Sequence, residues 1–576
     1  MACSGGGRAR AGIPRRLLAA ATRAAVALAV AALVAATTTG CSPARDEPPG
    51  RSTGGRGGRF VFPLAIEPAT LNFVSGTDQA SVLVERLVAD SLVDHDADLR
   101  VVPRLAASWE IAADGRTLTF HLRDGVRFHD GVACTSADVL YTWERIMDPA
   151  SHAVGRVDAF LPVETVEAPD PLTVRVTYRE PYAPALRGWE IPILPAHLYR
   201  GADFATAAAN RAPVGTGPFR FVSWEAGRRI VLAANPDYWA GPPGLDRFEF
   251  AIIPSADTAY QALLAGEVDY ARIPQAVAAT RAEDPEFRRR FSTVRYVPLF
   301  FYYIAWRGDG SNPFFADARV RRALGMAIDR QGYVRSVLHG LGEVVTSPFQ
   351  ALLPPAGDAP TAGAPTAGAM PAAGAAAADA PDPETAATLL DAAGWRRAST
   401  GGLRRRNGTP FRFTLLVFAG GEDHVQFSQV AQDNLRRLGI EMTIERLDWQ
   451  TLWSRLKSGD FQAALSGFMP GPDADSLYGL LHSSQIDGGQ NYAAFRDPDT
   501  DAWFLAARRT LDDRERRALY RRIENRIVAE QPYAFLFAPA VIAGVNARFA
   551  GAKASPQGIL GHMPGAFALR PAAGGS

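Results

Sequence analysis

The sequence predicts a mixed α/β or α+β protein of several lobes, and three observations support this. Apolar or alternating segments typical of β-strands recur along the chain from "RFVFPLAI", which starts at Arg59, to "AFLFAPAVIAGV", which ends at Val545. Segments with helical periodicity lie between these strands, which is the pattern of mixed folds. A chain of 576 residues can bury a large core without disulfides.

The N-terminal segment predicts export. Arginines without any acidic residue precede an apolar run from Ala24 to Ala36, which has the length of a signal peptide and is too short to span a bilayer. Small residues at 38–40 precede Cys41 and resemble a bacterial lipobox, with Thr38 where leucine is usual. We expect residues 1–40 to be a lipoprotein signal peptide and Cys41 to carry lipid. The alternatives are ordinary secretion with a free Cys41 thiol and a twin-arginine signal at Arg15-Arg16.

Two further stretches lack the periodicity of folded elements. Residues 41–58 are polar and rich in Pro and Gly, which predicts a flexible tether. Residues 353–383 are a low-complexity Ala/Gly/Pro segment, which predicts a surface loop that ends at the helix "PETAATLLDAAGW".

Local signals predict particular elements. Asp317 is a suitable N-cap for a helix whose apolar face carries Val320 and Leu324, and a second amphipathic helix begins at "DDRERRALY" and ends before Pro532. Asp114-Gly115 fits a two-residue hairpin. Gly215 and Gly217 fit a close backbone passage, which we expect where two lobes meet.

Composition and motifs exclude several function classes. The net charge is +1, so no nucleic-acid partner is implied. After residue 40 no apolar run is long enough to span a membrane, and Cys134 has no partner for an intramolecular disulfide. The sequence lacks the common motifs of serine hydrolases, zinc peptidases, P-loop enzymes and dithiol oxidoreductases, which favours binding over catalysis. The remaining enzymatic alternative is an exported hydrolase that uses Asp473 or Asp475.

Several long segments resemble one protein family. They are "LAASWEIAADGRTLTFHLRDGVRFHDGVACTSADVLYTWERIMDP", "VGTGPFRFVSWEAGRRIVLAANPDYWAGPPGLDRFEFAIIP", "FADARVRRALGMAIDR", "AATLLDAAGW" and "NYAAFRDPDTDAW". In this order they are similar to the family 5 extracellular solute-binding proteins, the oligopeptide, dipeptide and nickel binders of ABC importers.

The resemblance implies a two-lobed periplasmic-binding-protein-like fold of class II type that closes on a hinge. Lobe one would comprise residues 59–292 and 530–576, with an extra subdomain at 100–213, and lobe two residues 293–529. The protein would act without catalysis, cofactor or metal, as a monomer anchored to the membrane outside the cytoplasm, either periplasmic or at the cell surface. It would deliver a peptide or similar polar solute to ABC permease subunits with a cytoplasmic ATPase.

The resemblance also implies three cleft-lining segments, at 76–79, 300–306 and 466–478. Extended backbone in these segments would pair with a peptide as an added strand. The ligand-binding residues implied by these segments are Thr77, Asp78, Gln79, Phe301, Tyr302, Tyr303, Phe468, Met469, Asp473 and Asp475.

One departure from the family pattern concerns the peptide amine. Peptide binders of this family commonly place an aspartate shortly after the Gly-Trp of the third segment, whereas here Met469, Pro470 and Gly471 follow Gly467-Phe468. Three alternatives stay open: Asp473 is recruited by a small shift, another acid such as Asp78 meets the ammonium, or the solute has no free amine. Asp473 also fits a helix cap near Ser476. A nickel-chelate receptor that uses His482, or a sugar or opine receptor, is the alternative within the family.

Overall fold

The computed structural model describes residues 57–153, 155–353, 380–397, 401–562 and 565–572. The predicted signal peptide, the lipidation site Cys41, nearly all of the predicted tether and most of the low-complexity segment lie outside these ranges. Within the described ranges, no helix combines the length and the hydropathy that crossing a bilayer requires.

The strands, in chain order, are β1 (Arg59–Leu64), β2 (Val93–His95), β3 (Val101–Pro103), β4 (Ala106–Ile111), β5 (Thr117–Leu122), β6 (Val163–Asp170), β7 (Thr173–Tyr178), β8 (Phe219–Glu225), β9 (Arg229–Ala234), β10 (Arg247–Ile252), β11 (Tyr270–Arg272), β12 (Phe291–Tyr296), β13 (Phe301–Trp306), β14 (Gly342–Val344), β15 (Arg396–Arg397), β16 (Arg404–Arg406), β17 (Thr409–Pro410), β18 (Arg412–Phe418), β19 (Glu441–Leu447), β20 (Ala463–Phe468), β21 (Tyr533–Phe535), β22 (Phe537–Pro539), β23 (Val541–Asn546), β24 (Phe549–Ala550) and β25 (Arg570–Pro571).

The α-helices are α1 (Gln79–Val88), α2 (Ser136–Met147), α3 (Ala185–Gly188), α4 (Ala196–Tyr199), α5 (Ala256–Ala265), α6 (Gln275–Glu283), α7 (Pro285–Arg290), α8 (Ala318–Ala327), α9 (Arg330–Ser336), α10 (Pro383–Ala392), α11 (Glu422–Arg437), α12 (Trp449–Ser458), α13 (Tyr478–Leu481), α14 (Pro498–Arg509) and α15 (Asp513–Glu530). Single 3₁₀ turns cover Pro149–Ser151, Val157–Ala159, Ala208–Asn210, Ala474–Leu477, Ser483–Gln485 and Gly565–Ala568.

Two four-stranded sheets are built from the first half of the chain. One has the order β1-β10-β9-β8, and the other, β4-β5-β7-β6, is antiparallel. One apolar core joins both sheets and also takes in residues near the C-terminus such as Val545 and Leu569. The three-stranded sheet β11-β23-β12 brings the C-terminal strand β23 back to this half of the chain.

A five-stranded sheet of order β19-β18-β20-β13-β21 organises the region from residue 301 to 535. Its inner strands are apolar on both faces, as expected for a sheet that is covered on both sides. Successive residues of β13 therefore enter different cores: Ile304 packs into the cluster on one face, and Tyr303 into the cluster on the other.

The predicted helix signals are confirmed. The Asp317 carboxylate accepts a hydrogen bond from the Arg319 amide (2.9 Å) and starts α8, whose predicted apolar face is buried. α8 ends at Ala327, with Ile328 as its C-cap, and Asp329 caps a separate helix, α9. The second predicted helix is α15, capped by Asp512 and ended by Gln531 before Pro532.

The predicted two-residue hairpin at Asp114-Gly115 was wrong in length. Ala112 pairs with Thr117 (N–O 2.8 Å), which leaves four residues, 113–116, in the connection between β4 and β5. The Asp114 carboxylate accepts a hydrogen bond from the Arg116 amide (2.9 Å), and Gly115 adopts a left-handed φ of 67°. The glycine is therefore needed for its backbone conformation, within a longer turn.

Gly215 and Gly217 form the predicted close passage. A Cβ on either glycine would collide with the backbone of Val88, and the Gly217 amide donates a hydrogen bond to the Val88 carbonyl (2.8 Å). The neighbour is the end of α1, which the predicted boundaries place in lobe one. The passage therefore fixes the end of α1 against the segment 215–217, and the expectation that two lobes meet there stays a prediction.

Candidate functional site

The loop that precedes α1 positions this helix. Asp78 is the N-cap: its carboxylate accepts hydrogen bonds from the amide of Ser81 (2.9 Å) and from the Ser81 hydroxyl. Gln79 is the first helical residue. An aspartate at the N-cap accepts hydrogen bonds from backbone amides of the first helical turn, which have no partner within the helix. The sequence "TDQAS" therefore contains the interaction that starts α1.

One face of α1 borders a cavity of about 640 Å³. Val82, Glu85 and Arg86 are spaced three and four residues apart and lie on this face, and Ala89, which follows the helix as its C-cap, also borders the cavity. The remaining walls come from distant parts of the chain and consist of Thr77, Ser91, Asp94, Arg104, Gly155, Arg156, Glu190, Pro192, Met469 and Gln490. Of the ten predicted ligand-binding residues, Thr77 and Met469 line this cavity.

The cavity wall carries three arginines and three carboxylates, and most of them are paired with each other. The Asp94 carboxylate accepts hydrogen bonds from Arg86 (Nη2–Oδ1 2.6 Å) and Arg104 (Nη1–Oδ2 2.9 Å). Burial alone would raise the pKa of Asp94, but Arg86, Arg104, His95 and the hydrogen bond from the His95 amide together hold this pKa below its usual value. Asp94 is therefore a fully compensated anion.

A second buried carboxylate, that of Asp90, lies outside the cavity lining and binds Arg104 of the cavity wall. It accepts hydrogen bonds from Arg104 (Nε–Oδ1 2.5 Å), Tyr238 (3.2 Å), Trp239 (2.9 Å) and the Thr216 hydroxyl (3.0 Å). The segments "GTGP" and "NPDYW", predicted to be architectural, thus meet at one carboxylate and hold the Arg104 guanidinium in place.

Glu85 is the least compensated carboxylate of the wall. Its Oε2 lies 3.4 Å from Nη2 of Arg156, a long contact, and the same Nη2 donates to the Gly76 carbonyl at 2.7 Å. Neither Oε1 of Glu85 nor Nε of Arg156 has a hydrogen-bond partner among the described residues. Burial raises the pKa of Glu85 to about 8, and the Arg156 charge offsets only part of this effect.

Asp473 and Asp475 do not line the cavity. The Asp473 carboxylate accepts hydrogen bonds from both terminal nitrogens of Arg516 (2.7 and 3.0 Å). The Asp475 carboxylate accepts hydrogen bonds from Nε and Nη2 of Arg508 (2.8 and 3.0 Å). The Asp473 carboxylate also accepts from the Asp475 amide (2.8 Å) and caps the 3₁₀ turn at 474–477. The alternative that Asp473 is a helix cap is confirmed, two residues before the expected start.

The predicted aromatic residues of β13 belong to the sheet interior. Phe301 and Tyr303 are buried, and β13 pairs with β20 on one edge and with β21 on the other. Across Tyr303–Ala305 both edges are occupied, so no edge is free there for a peptide strand. Tyr302 is half-buried against Phe537, and Phe468 lies 5.9 Å from the ring of Phe301.

His482, the candidate nickel ligand, lies apart from the cavity. Its ring stacks on Tyr478 (4.1 Å between centroids), and its Nδ1 is 2.9 Å from the Ser484 hydroxyl. In the described part of the chain, no group of three or more His, Cys, Asp or Glu side chains has an arrangement suited to a metal ion.

Sequence reasoning missed most of the cavity. It did not single out Glu85, Arg86, Asp94, Arg104 or Arg156. One signal was available: Glu85 and Arg86 interrupt the otherwise apolar stretch "SVLVERLV", and charges inside such a stretch are unusual in a core-facing helix.

Comparison with known proteins gives consistent matches over most of the chain. Residues 100–489 match the profile of the bacterial extracellular solute-binding proteins, family 5. Protein XP55 of Streptomyces lividans is 32% identical over 482 residues, which cover 83% of this chain and 82% of that protein. The oligopeptide-binding protein AppA of Bacillus subtilis is 29% identical over 497 residues, 84% of this chain and 87% of that protein.

Solved structures agree with these matches. The structure of AppA from Bacillus subtilis in complex with a nonapeptide superposes with a TM-score of 0.71 at 27% identity, covering 90% of this chain and 99% of that one. NikA from Brucella suis, in complex with Fe(III)-EDTA, gives a TM-score of 0.77 at 22% identity, covering 89% and 100%, and supports the fold alone. The predicted α/β, two-lobed binding-protein fold is therefore confirmed, and the chain belongs to the bacterial extracellular solute-binding proteins of family 5.

Proposed function

We propose that this protein captures a short peptide, or a polar solute of similar chemistry, outside the cytoplasm and delivers it to an ABC permease with a cytoplasmic ATPase. The observation that carries the proposal is the cavity beside α1. Its volume of about 640 Å³ falls among the ~300–1,000 Å³ of typical small-molecule sites. Its wall presents both arginines and carboxylates, which suits a solute that carries both charges.

Relatives support the peptide class. Besides AppA, Di/tripeptide-binding protein 2 of Pseudomonas aeruginosa is 28% identical over 486 residues, 79% of this chain and 85% of that protein. The nickel-chelate alternative finds no support in the position of His482, because this residue does not line the cavity. The proposal assigns no catalytic step to Asp473 or Asp475, since each of them pairs with an arginine and lies outside the cavity.

Two lobes are proposed to close around the solute. We place the first division between β12 and β13, at residues 297–300 and not at 293, because β12 pairs with β23 along its whole length. At the C-terminal end, β21 pairs with β13 in the five-stranded sheet. Phe537 of β22 packs into the apolar core on one face of that sheet. We therefore place the return of the chain to lobe one after β22, and not at residue 530. The segment at 100–213 contains the antiparallel sheet β4-β5-β7-β6 and is proposed as the extra subdomain.

Export and lipid anchoring through Cys41 are part of the proposal, and so is a monomeric state in solution. Labelling of cells with radioactive palmitate should mark the wild-type protein and not Cys41→Ala. Label on Cys41→Ala, or its absence from the wild type, would contradict the anchor.

The solute itself is best identified from protein purified under native conditions. Denaturing this protein should release molecules of peptide mass that carry amines and carboxylates, in near-stoichiometric amounts. Mass spectrometry of the released fraction identifies them. Purified protein should leave a peptide library unchanged on prolonged incubation. Release of neutral sugars, or conversion of library members into products, would overturn the proposed function.

A further inference from the structure

Many arginines lie on the small sheet β15-β16-β17 and on the chain next to it. We call eight of them the basic patch: Arg396, Arg397, Arg404, Arg405, Arg406, Arg412, Arg436 and Arg437. Three of the eight form ion pairs, namely Arg404–Asp391 (2.6 Å), Arg412–Glu441 (2.8 Å) and Arg436–Asp433 (2.9 Å). The other five form no ion pair with a carboxylate of the described residues. The basic patch therefore concentrates positive charge in a chain whose net charge is +1.

Strands β15 and β16 place two of these unpaired arginines opposite each other. Arg396 is in register with Arg405, and both residues are exposed. Residues directly opposite in an antiparallel pair point to the same face, with Cβ atoms about 5 Å apart, and like charges there destabilise the sheet. Arg405 donates a hydrogen bond to the Gly408 carbonyl (2.8 Å), which is neutral and leaves the repulsion in place. An anion bound over this pair would remove the repulsion.

The remaining unpaired arginines of the basic patch contact neutral groups or solvent. Arg397 donates to the carbonyl of Arg437, and its Nε has no hydrogen-bond partner among the described residues. Arg406 donates to the Pro313 carbonyl (2.9 Å) and lies over the Trp395 ring (5.0 Å to the centroid). Arg437 is exposed at the end of α11. These guanidinium groups keep their charge, and guanidinium groups bind phosphate oxygens through paired N–H donors.

The basic patch and the cavity lie at opposite ends of the same parallel strands. Strand β18 is parallel to β20 and begins at Arg412, in the basic patch. Met469, which lines the cavity, directly follows the last residue of β20. The strand β18 spans about 20 Å, at ~3.3 Å per residue. An occupant of the basic patch would therefore leave the solute cavity open.

We propose that the basic patch binds the phosphate headgroups of an anionic membrane, so that this end of lobe two rests on the bilayer while the cavity stays open. The inference rests on the anchoring part of the proposed function, which keeps the protein near a membrane. The predicted tether, residues 41–58, can span at most about 60 Å, so the folded part stays within reach of the lipid. A lipid anchor combined with a basic patch holds a protein to an anionic membrane more firmly than either signal alone.

Hydrogen exchange on the full-length protein tests this contact. The protein is attached through its own N-terminal segment to vesicles of phosphatidylcholine, or of an equal mixture of phosphatidylcholine and phosphatidylglycerol. Backbone amides at 404–412 and 433–441 should exchange at least about threefold more slowly on the mixed vesicles, since each arginine near an anionic surface strengthens binding about fivefold. High salt should abolish the difference, because it screens the attraction. Equal exchange on both kinds of vesicle at low salt would overturn the inference.

A triple variant locates the contact within the protein. Arg396→Gln/Arg405→Gln/Arg437→Gln removes three unpaired charges of the basic patch, which lowers the attraction about 100-fold. Its amides should therefore exchange at equal rates on both kinds of vesicle, and thermal unfolding verifies that the variant is folded. Slower exchange on mixed vesicles that survives in this variant would contradict the assignment.

The matched control removes three exposed arginines from the first half of the chain, in Arg100→Gln/Arg127→Gln/Arg228→Gln. This variant has the same net charge as the first and should exchange as the wild type does; loss of the difference here would show a non-specific charge effect and sink the inference. Soluble polyphosphate that slows exchange at the basic patch, while mixed vesicles do not, would identify an anionic polymer instead of a membrane. Mass spectrometry of the released solute and palmitate labelling test the proposed function separately, so the two proposals can be told apart.

Discussion

At the residue scale, Glu85 gives the protein a specific pH dependence of stability. The groups that face its carboxyl are Arg156, which lowers its pKa, and Asp78, which raises it, with Tyr199 nearby and Arg86 next to it on α1. Burial dominates, so the folded protein holds a proton on Glu85 up to about pH 8, whereas the unfolded chain releases it near pH 4.5.

The contribution of Glu85 to stability should therefore fall as pH rises from about 5 to 8, because the folded state binds the extra proton in this window. The contribution of Glu85 to the slope is at most about 1.4 kcal/mol per pH unit. Urea unfolding of wild type and Glu85→Gln across this range tests the point: the advantage of the variant over the wild type should grow with pH. Parallel curves would show that Glu85 is ionised throughout, contrary to this account.

Asp473 has a structural role that predicts a different phenotype. Asp473→Asn removes the charge opposite Arg516, whereas the asparagine oxygen can still cap the turn at 474–477. Since both side chains are largely buried, we expect a loss of about 1–3 kcal/mol of stability. Peptide affinity, measured by calorimetry on the folded variant, should be unchanged. A large loss of peptide affinity without loss of stability would instead show that Asp473 contacts the solute.

At the scale of elements, the approach of Gly215 to Val88 fixes the end of α1 and with it the cavity wall. Gly215→Ala introduces a Cβ that collides with backbone, and backbone cannot move aside at low cost. We expect a destabilisation of about 1–3 kcal/mol, measured by urea unfolding. Gly188→Ala is the matched control, because its Cβ meets the nearest atom at 3.5 Å, an ordinary contact, and should change stability by less than about 0.5 kcal/mol.

Local signals explain why much of the fold was predictable. Asp317 and Asp512 each bond to an amide two or three residues away, so the sequence around them contains the whole interaction. The hairpin length at Asp114 was not predictable in the same way, because it depends on which residues of β4 and β5 pair.

The candidate site was less predictable for the same physical reason. Glu85 and Arg156 are 71 positions apart, and Met469 reaches the cavity from the far half of the chain. Only tertiary structure brings these side chains together. Thr77 and Met469 were found through resemblance to a family, whereas the charged wall, which distinguishes this cavity, follows from no local pattern beyond the two charges within "SVLVERLV".

At the scale of the whole molecule, contacts cross from the proposed subdomain to the proposed lobe two. The Ala183 amide donates to the Arg508 carbonyl (2.6 Å), and Arg509 pairs with Glu180 (2.7 Å). The Arg509 pair is exposed and contributes at most about 1 kcal/mol. The side chain of Leu511 also reaches the turn at Gly115, where an added Cβ would lie 2.6 Å from its Cδ1, so these regions meet through polar and apolar contacts.

Photo-crosslinking locates the bound solute in the protein. A tripeptide with a free amino terminus and a photoreactive diazirine side chain is irradiated with the full-length protein, and peptide mapping locates the adducts. This account predicts adducts on the cavity face of α1, at Val82 to Ala89, and at Met469, which excess unlabelled tripeptide abolishes. Competable adducts confined to β13 or to the turn at 474–477, with none on α1, would contradict it.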